Sequence, residues 1–330
     1  MVTAKAWCRV DLAGGTLDIW PLGLFHPQAR TVNVAVDLAA TVQLRPRPRG
    51  YRVRQGDQIA ETASAAELAR DAEAALIGVI AEAFELPPFE AVLASESPRG
   101  GGLGASSAMA VAFIAAAEEA FDRPRSQPRQ RAGMARDLEA RLMGLPTGMQ
   151  DHYPALLGGA LEIRPLPGGE QVRSLAVDLP ALAASLLVVY SGQSHFSAGK
   201  NWQIVRRRLE ADPEVTELLE GIAGTAAALA PALEAGDLPR VGELMSREWS
   251  YRRRLAAGIS TPVLENLLRT AVGEGAWGGK ACGAGGGGCL AVLAPAERKE
   301  AVAAALAGAG GTILAAAPTG RALEISSEGT

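Results

Sequence analysis

Cysteine, histidine, aromatic residues and excess positive charge are all scarce in this chain, and each scarcity removes a class of function. Three cysteines (Cys8, Cys282, Cys289) in 330 residues give neither a disulfide framework nor a CxxC metal pair. The expected setting is the reducing cytoplasm. Three histidines with no HExxH spacing argue against a histidine-rich metal site. No apolar run approaches the roughly 18 residues needed to span a bilayer, and MVTAKAWCRVDLAGG holds no segment of signal-peptide length. With Lys+Arg 32 against Asp+Glu 36, a net charge of -4, the chain lacks the broad basic face that neutralises nucleic-acid phosphates. Neither nucleic acid nor a membrane is expected as a partner.

Glycine is abundant instead: 38 Gly accompany 20 Pro, in a chain 48% hydrophobic. The length predicts two domains. Residues 32–44 read as a half-buried strand, and RPRPRGYRVR as a solvated loop between strands. Ser64-x-x-Glu67 is a capping box opening one helix that runs through Leu68, Leu76, Ile80 and Phe84 to Pro87. A strand at 89–94, a buried helix at 108–121, a helix at 129–142 and a strand at 161–164 follow. A boundary falls near residue 178, giving domains 1–178 and 179–330. The second half then shows a strand at 186–190, helices between 201 and 271, a strand at 289–294, a helix at 296–307, and short strands near Thr312 and Ala322. No fixed-period repeat is visible. The coarse class is α+β in two parts.

Two glycine clusters carry the chemistry. SPRGGGLGASSAM places Gly100, Gly101, Gly102 and Gly104 between a strand and a helix, where amides without Cβ atoms wrap an anion and the helix end adds its positive pole. Ser106 and Ser107 occupy the first helical turn, within reach of a phosphate oxygen or Mg²⁺. A Walker A loop is excluded because no lysine follows, and GxGxxA fits only formally, without the second strand that fingerprint needs. The second cluster, GEGAWGGKACGAGGGGC, has nine glycines in residues 273–288. Packing alone does not justify such a run, so close backbone approach to a ligand is expected. RVDLAGGTLD puts Arg9 on a strand and Asp18 past a glycine turn, where the two would at least make a salt bridge. Glu139 and Asp151 in PTGMQDHY are two acids able to converge on a metal and a substrate hydroxyl.

RVDLAGGTLD, PRGGGLGASSA and KACGAGGGGC, in that order and with GMQD between the last two, resemble the three motifs of the GHMP kinase superfamily over nearly the whole chain. The resemblance implies a two-domain fold, an N-terminal ribosomal-protein-S5-like domain and a C-terminal ferredoxin-like α/β domain, with the active site in the cleft between them. It implies ATP and Mg²⁺ as cofactors. The nucleotide phosphates would lie on Pro98, Gly100, Gly101, Gly102, Leu103, Gly104, Ala105, Ser106 and Ser107, with Ser106 or Ser107 and Glu139 holding Mg²⁺. Asp151 would be the general base and Arg9 its partner, stabilising developing oxyanion charge. Gly15, Thr16, Asp18, His152, Gly285 and Gly286 would contact the acceptor.

GGTLDIW lacks the Glu-His pair of galactokinases. GMQDHYPALLGG, SGQSHFS and GISTPVLENLL look most like the bacterial heptose 7-phosphate kinase and fucokinase-like branch, which phosphorylates the anomeric hydroxyl of a sugar or sugar phosphate. Another sugar, an isoprenoid-type acceptor and a non-catalytic sugar sensor stay open, as does a homodimer. Two departures stand out: Thr16-Leu17-Asp18 replaces the branch's GTD or WTD, and Cys282 replaces a threonine. SGQSHFSAGKNW offers Ser191, Ser194, His195, Ser197 and Lys200 as sugar or phosphate contacts. The arginine triplets at 206–208 and 252–254 are expected on helix surfaces, and Trp20 is a stacking candidate.

Overall fold

The computed structural model describes residues 1–194 and 198–327, so the candidates His195 and Ser197 lie outside the described residues. The first sheet is built from β1 (Val2–Ala13), β2 (Thr31–Pro46), β3 (Tyr51–Gln55), β4 (Gln58–Thr62), β5 (Phe89–Ser95), β6 (Ala160–Leu166) and β7 (Gly169–Ser174). Helices α1 (Ala65–Leu68), α2 (Ala75–Ala83), α3 (Ala105–Ala120), α4 (Pro128–Met143) and α5 (His152–Leu157) accompany it. The second half runs α6 (Leu179–Ser185), β8 (Leu186–Tyr190), α7 (Ala198–Leu209), α8 (Pro213–Glu234), α9 (Leu238–Arg252), α10 (Pro262–Gly273), β9 (Gly278–Ala281), β10 (Cys289–Leu293), α11 (Lys299–Gly308), β11 (Thr312–Leu314) and β12 (Glu324–Ser327).

The first sheet has the order β12-β1-β2-β5-β3-β4, with β6 on the other end of β2; the second is β11-β8-β10-β9. β1 is buried along most of its length, because α3 covers one face while α8 and α9 pack on the other. A strand covered on both faces loses polar alternation, which is why the sequence period there is weak. Its buried residues Val10, Leu12 and Ala13 share one core with Leu229 and Leu233 of α8, Leu244 of α9, and Ala291 and Leu293 of β10. The two halves are thus joined by continuous apolar packing. The chain then leaves the second sheet, and β12 pairs back onto β1, Val2 opposite Ser327.

Local signals explain most element starts. Asp178, Asp212, Asp237 and Thr261 each accept a backbone N–H at the N-terminus of α6, α8, α9 and α10, with proline in the first turn; such caps contribute about 1 kcal/mol each. Half of the capping box at Ser64 forms, Ser64 Oγ accepting from Glu67 N, while the Glu67 carboxylate accepts from Ala63 N–H instead of the Ser64 amide. The helix it opens is nevertheless only α1, not one element to Pro87. Asp71 Oδ1 accepts from the amides of Glu73 and Ala74, and this local turn competes with helix continuation before α2 restarts the spiral.

Candidate active site

Four segments meet around a cavity of about 290 Å³ lined from both halves of the chain. The first is the β5–α3 turn. Gly100, Gly102 and Gly104 all have φ near +70°, a conformation that favours glycine. Their left-handed turns alternate with ordinary backbone and end on α3, whose N-terminal residues Ser106 and Ser107 line the cavity, the end of a helix that favours an anion. Gly100, Gly102, Gly104, Ser106 and Ser107 line the wall. Gly101 and Leu103 are buried behind it, Gly101 with its back on Pro98 O and Cys289 Sγ.

Arg9 and Asp151 come from the middle of β1 and the start of α5. Arg9 Nη2 lies 2.5 Å and Nε 2.8 Å from Asp151 Oδ1, while Nη1 donates to Gly102 O at 2.5 Å. Arg9 therefore salt-bridges Asp151, not Asp18. Burial disfavours the Arg9 charge, but Asp151 and Asp11 outweigh it and raise its pKa above the ordinary value. A Cβ at Gly104 would lie 3.2 Å from the Asp151 side chain, so the carboxylate abuts the backbone of the glycine loop.

Asp18 lies across the cavity. Its Oδ2 accepts Gln150 N–H at 2.9 Å, whereas Oδ1 is buried with no partner among the described residues. Burial is the main cause that pushes its carboxyl up to about 6. Thr16 lines the cavity too, but Gly15 does not; Gly15 packs on Asp11 and Gln150.

Glu139 of α4 accepts from Ser107 Oγ with both oxygens, at 3.0 and 2.9 Å, and meets His152 Nε2 at 2.9 Å. Ser106 makes no such contact and is exposed. His152 is 1% exposed and bonded to Glu139, and it also lines the cavity, so it supports that carboxylate at the wall where the sequence expected a sugar contact. Burial acts to lower the His152 pKa, but the Glu139 charge outweighs it and raises it. Among the described residues no Arg or Lys pairs with Glu139, and this carboxylate with the Ser107 hydroxyl beside it offers hard oxygen donors of the kind Mg²⁺ takes.

The second glycine cluster is explained differently from the sequence expectation. A Cβ at Gly288 would lie 2.9 Å from Gly101 O, and one at Gly102 would lie 2.7 Å from Cys282 O. Cys289 N donates to Gly101 O at 2.8 Å. The two clusters are packed backbone against backbone, so protein packing does justify much of the glycine run. Gly283, Gly285 and Gly287 line the cavity, whereas Gly286 donates to Ile259 O at 2.5 Å and does not. Lys200 likewise caps Gly258 O. Trp20, 71% exposed, lines a neighbouring cavity of about 320 Å³ that shares Asp18 and Ile19 with the first and includes Arg136.

Sequence reasoning missed a fully buried charge network beside this site. Lys280 Nζ lies 2.7 Å from Asp11 Oδ2 and 3.8 Å from Glu248 Oε2. Arg252 Nη2 is 2.5 Å from Glu248 Oε1 and 2.7 Å from Gly15 O. Arg252 is 1% exposed, not on the helix surface. The available signal was the i,i+4 spacing of Glu248 and Arg252.

Comparison with known proteins follows these contours. The models for the GHMP kinases N terminal domain and the GHMP kinases C terminal match residues 63–159 and 229–310. A mevalonate kinase of Pyrococcus abyssi is 34% identical over 240 residues, 71% of this chain and 68% of that protein; further archaeal mevalonate kinases match over 63–64% of their lengths. A D-glycero-alpha-D-manno-heptose 7-phosphate kinase of Campylobacter jejuni is 26% identical, covering 59% of this chain and 58% of its own. The crystal structure of a D-glycero-D-manno-heptose 1-phosphate kinase from Bacteriodes thetaiotaomicron superposes over 100% of both chains with a TM-score of 0.80 at 22% identity, a likeness of fold.

Proposed function

The chain belongs to the GHMP kinases, a family of ATP-dependent phosphotransferases, and on that premise we propose that it moves the γ-phosphate of ATP to the anomeric hydroxyl of a sugar or sugar phosphate of the heptose 7-phosphate type. The observation that carries the reading is the placement of Asp151, ion-paired to Arg9 and seated between the glycine loop at Gly104 and the Asp18 side of the same cavity. Phosphoryl transfer demands alignment and charge neutralisation more than covalent help. The amides of the first cluster bind the nucleotide phosphates. Asp151 accepts the proton of the attacking hydroxyl, and Arg9 holds the carboxylate in place while stabilising charge that develops beside it. Glu139 and Ser107 would hold Mg²⁺, with Ser106 open to the same space, and the ion would neutralise charge on the β- and γ-phosphates. Asp18, with an unused oxygen, binds acceptor hydroxyls. The adjoining cavity with Trp20 and Arg136 receives the far end of a longer or phosphorylated acceptor.

Identity to archaeal mevalonate kinases favours a second reading, an isoprenoid-type hydroxy acid as acceptor. Among the described residues Arg9 is the main cavity's one Arg or Lys and already serves Asp151 and Gly102, so an anionic group on either acceptor would have to reach Arg136 of the adjoining cavity. An ADP-release screen with ATP and Mg²⁺ over hexoses, heptoses, heptose 7-phosphate and mevalonate separates the two. Turnover on a sugar or sugar phosphate is expected. Turnover on mevalonate alone would replace this reading with the second, and none on any of them would sink both.

A further inference from the structure

We propose that Arg252, at the end of α9, is a positioning residue for the phosphoryl acceptor, acting from the second half of the chain through the turn that carries Thr16 and Asp18. Its Nη2 donates to Gly15 O at 2.7 Å and its Nη1 to Thr16 Oγ1 at 3.0 Å. Thr16 has φ +75°, a left-handed conformation that is uncommon outside glycine and persists only when surroundings enforce it. The two bonds from Arg252 supply that enforcement, on the residue itself and the one before it. Glu248, itself bonded to Arg252, adds a third contact to the turn by accepting Gly14 N–H at 3.3 Å. Three consecutive residues are thereby clamped, two positions before Asp18.

The clamp is itself held rigid. Glu248 binds Arg252, and Lys280 of β9 binds Asp11 and approaches Glu248. All four charges are at most 1% exposed. Two cations balance two anions, so the network carries no net charge into the core, and removing one member would leave an uncompensated buried charge. Burial by itself would raise the Asp11 pKa; Lys280, Arg252 and Arg9 overcome it and lower it. Buried ion pairs of this kind give little stability over apolar packing. What this one does is tie the acceptor turn to α9 and to β9, which lies within the second glycine cluster. The acceptor site is registered against the cleft from both halves.

The inference uses the acceptor side of the proposed site and does not depend on which acceptor is turned over. Wild-type turnover in the screen tests the site; the ratio of Michaelis constants in variants tests Arg252. Arg252→Lys keeps the charge but cannot reach Gly15 O, Thr16 Oγ1 and Glu248 together. The acceptor KM should rise at least about tenfold, the scale of one charge-assisted hydrogen bond, with ATP KM within about twofold of wild type. Arg254→Ala, last in the triplet and exposed, should change neither. An unchanged acceptor KM in a folded Arg252→Lys protein overturns the inference, as does a parallel rise in both constants. Thr16→Ala keeps the network charges in case Arg252→Lys does not fold; it should raise acceptor KM in the same selective way, and Thr16→Ser should restore it. Where both variants fold, the Thr16→Ala effect should largely vanish in the Arg252→Lys background. Independent, additive effects would mean that Thr16 touches the acceptor without Arg252, and would overturn the clamp.

Discussion

Gly148 and Asp18 compete for one volume: a Cβ at position 148 would lie 1.9 Å from Asp18 Oδ2. The glycine of PTGMQD is therefore required by a side chain 130 positions earlier, and it explains how the Asp18 carboxylate reaches the backbone of Gln150. Gly148→Ala should push Asp18 off that amide. Steady-state kinetics should show acceptor KM raised about tenfold or more with ATP KM little changed, the size of effect expected for a lost hydrogen bond to a charged group. Equal changes in both constants would show that the substitution disturbs the cleft generally.

Asp151→Asn retains shape and the contact with Arg9 but removes the proton acceptor. Turnover should fall by about 10²- to 10⁴-fold, while ATP affinity measured by titration stays within a few-fold. Wild-type-like turnover in this variant would assign the base elsewhere.

The carboxyl of Asp18, pushed up to about 6 chiefly by burial, binds its proton more tightly in the folded chain than in the unfolded chain, where aspartate titrates near ~4. Its ionisation thus weakens the fold above about pH 6, and that penalty disappears as the pH falls from about 6 to about 4. Asp18→Asn should unfold at a higher temperature than wild type above pH 6, by an amount corresponding to about 1–3 kcal/mol. The difference should shrink toward pH 4, and acceptor KM should rise throughout. A pH-independent gap in thermal unfolding would show that charge burial is not the cause.

Ser107→Ala removes a hydroxyl that both Glu139 oxygens use. The Mg²⁺ concentration for half-maximal activity should rise several-fold, about 1 kcal/mol in binding. Ser106→Ala, at an exposed residue without that bond, separates the two hydroxyls. A larger shift in Ser106→Ala would move the metal role to Ser106.

The glycine motifs were legible because they are statements about backbone: φ near +70° at Gly100, Gly102 and Gly104 requires little knowledge of distant partners. Arg9 with Asp151, and Glu139 with a serine of the loop, were implied by the family resemblance; the residues alone suggested a salt bridge from Arg9 to Asp18. Distant packing was not legible. The glycine run at 283–288 abuts the first cluster's carbonyls, which no local pattern encodes. Arg252 sat in an arginine triplet, and only its partners at positions 15, 16 and 248 reveal that it is buried. His152 read as a sugar contact because it adjoins Asp151, and both line the cavity; its bond to Glu139, 13 positions earlier, is a distant contact that no local pattern encodes.

The transferred phosphate is expected on an anomeric oxygen, and nuclear magnetic resonance of the product tests that placement most directly. With the sugar acceptor, ATP and Mg²⁺, the new phosphorus signal should couple to the anomeric proton, and reducing-sugar signal should vanish in step with ADP formed. A phosphomonoester coupled to a non-anomeric carbon, or one formed on mevalonate with every sugar left untouched, would contradict the account.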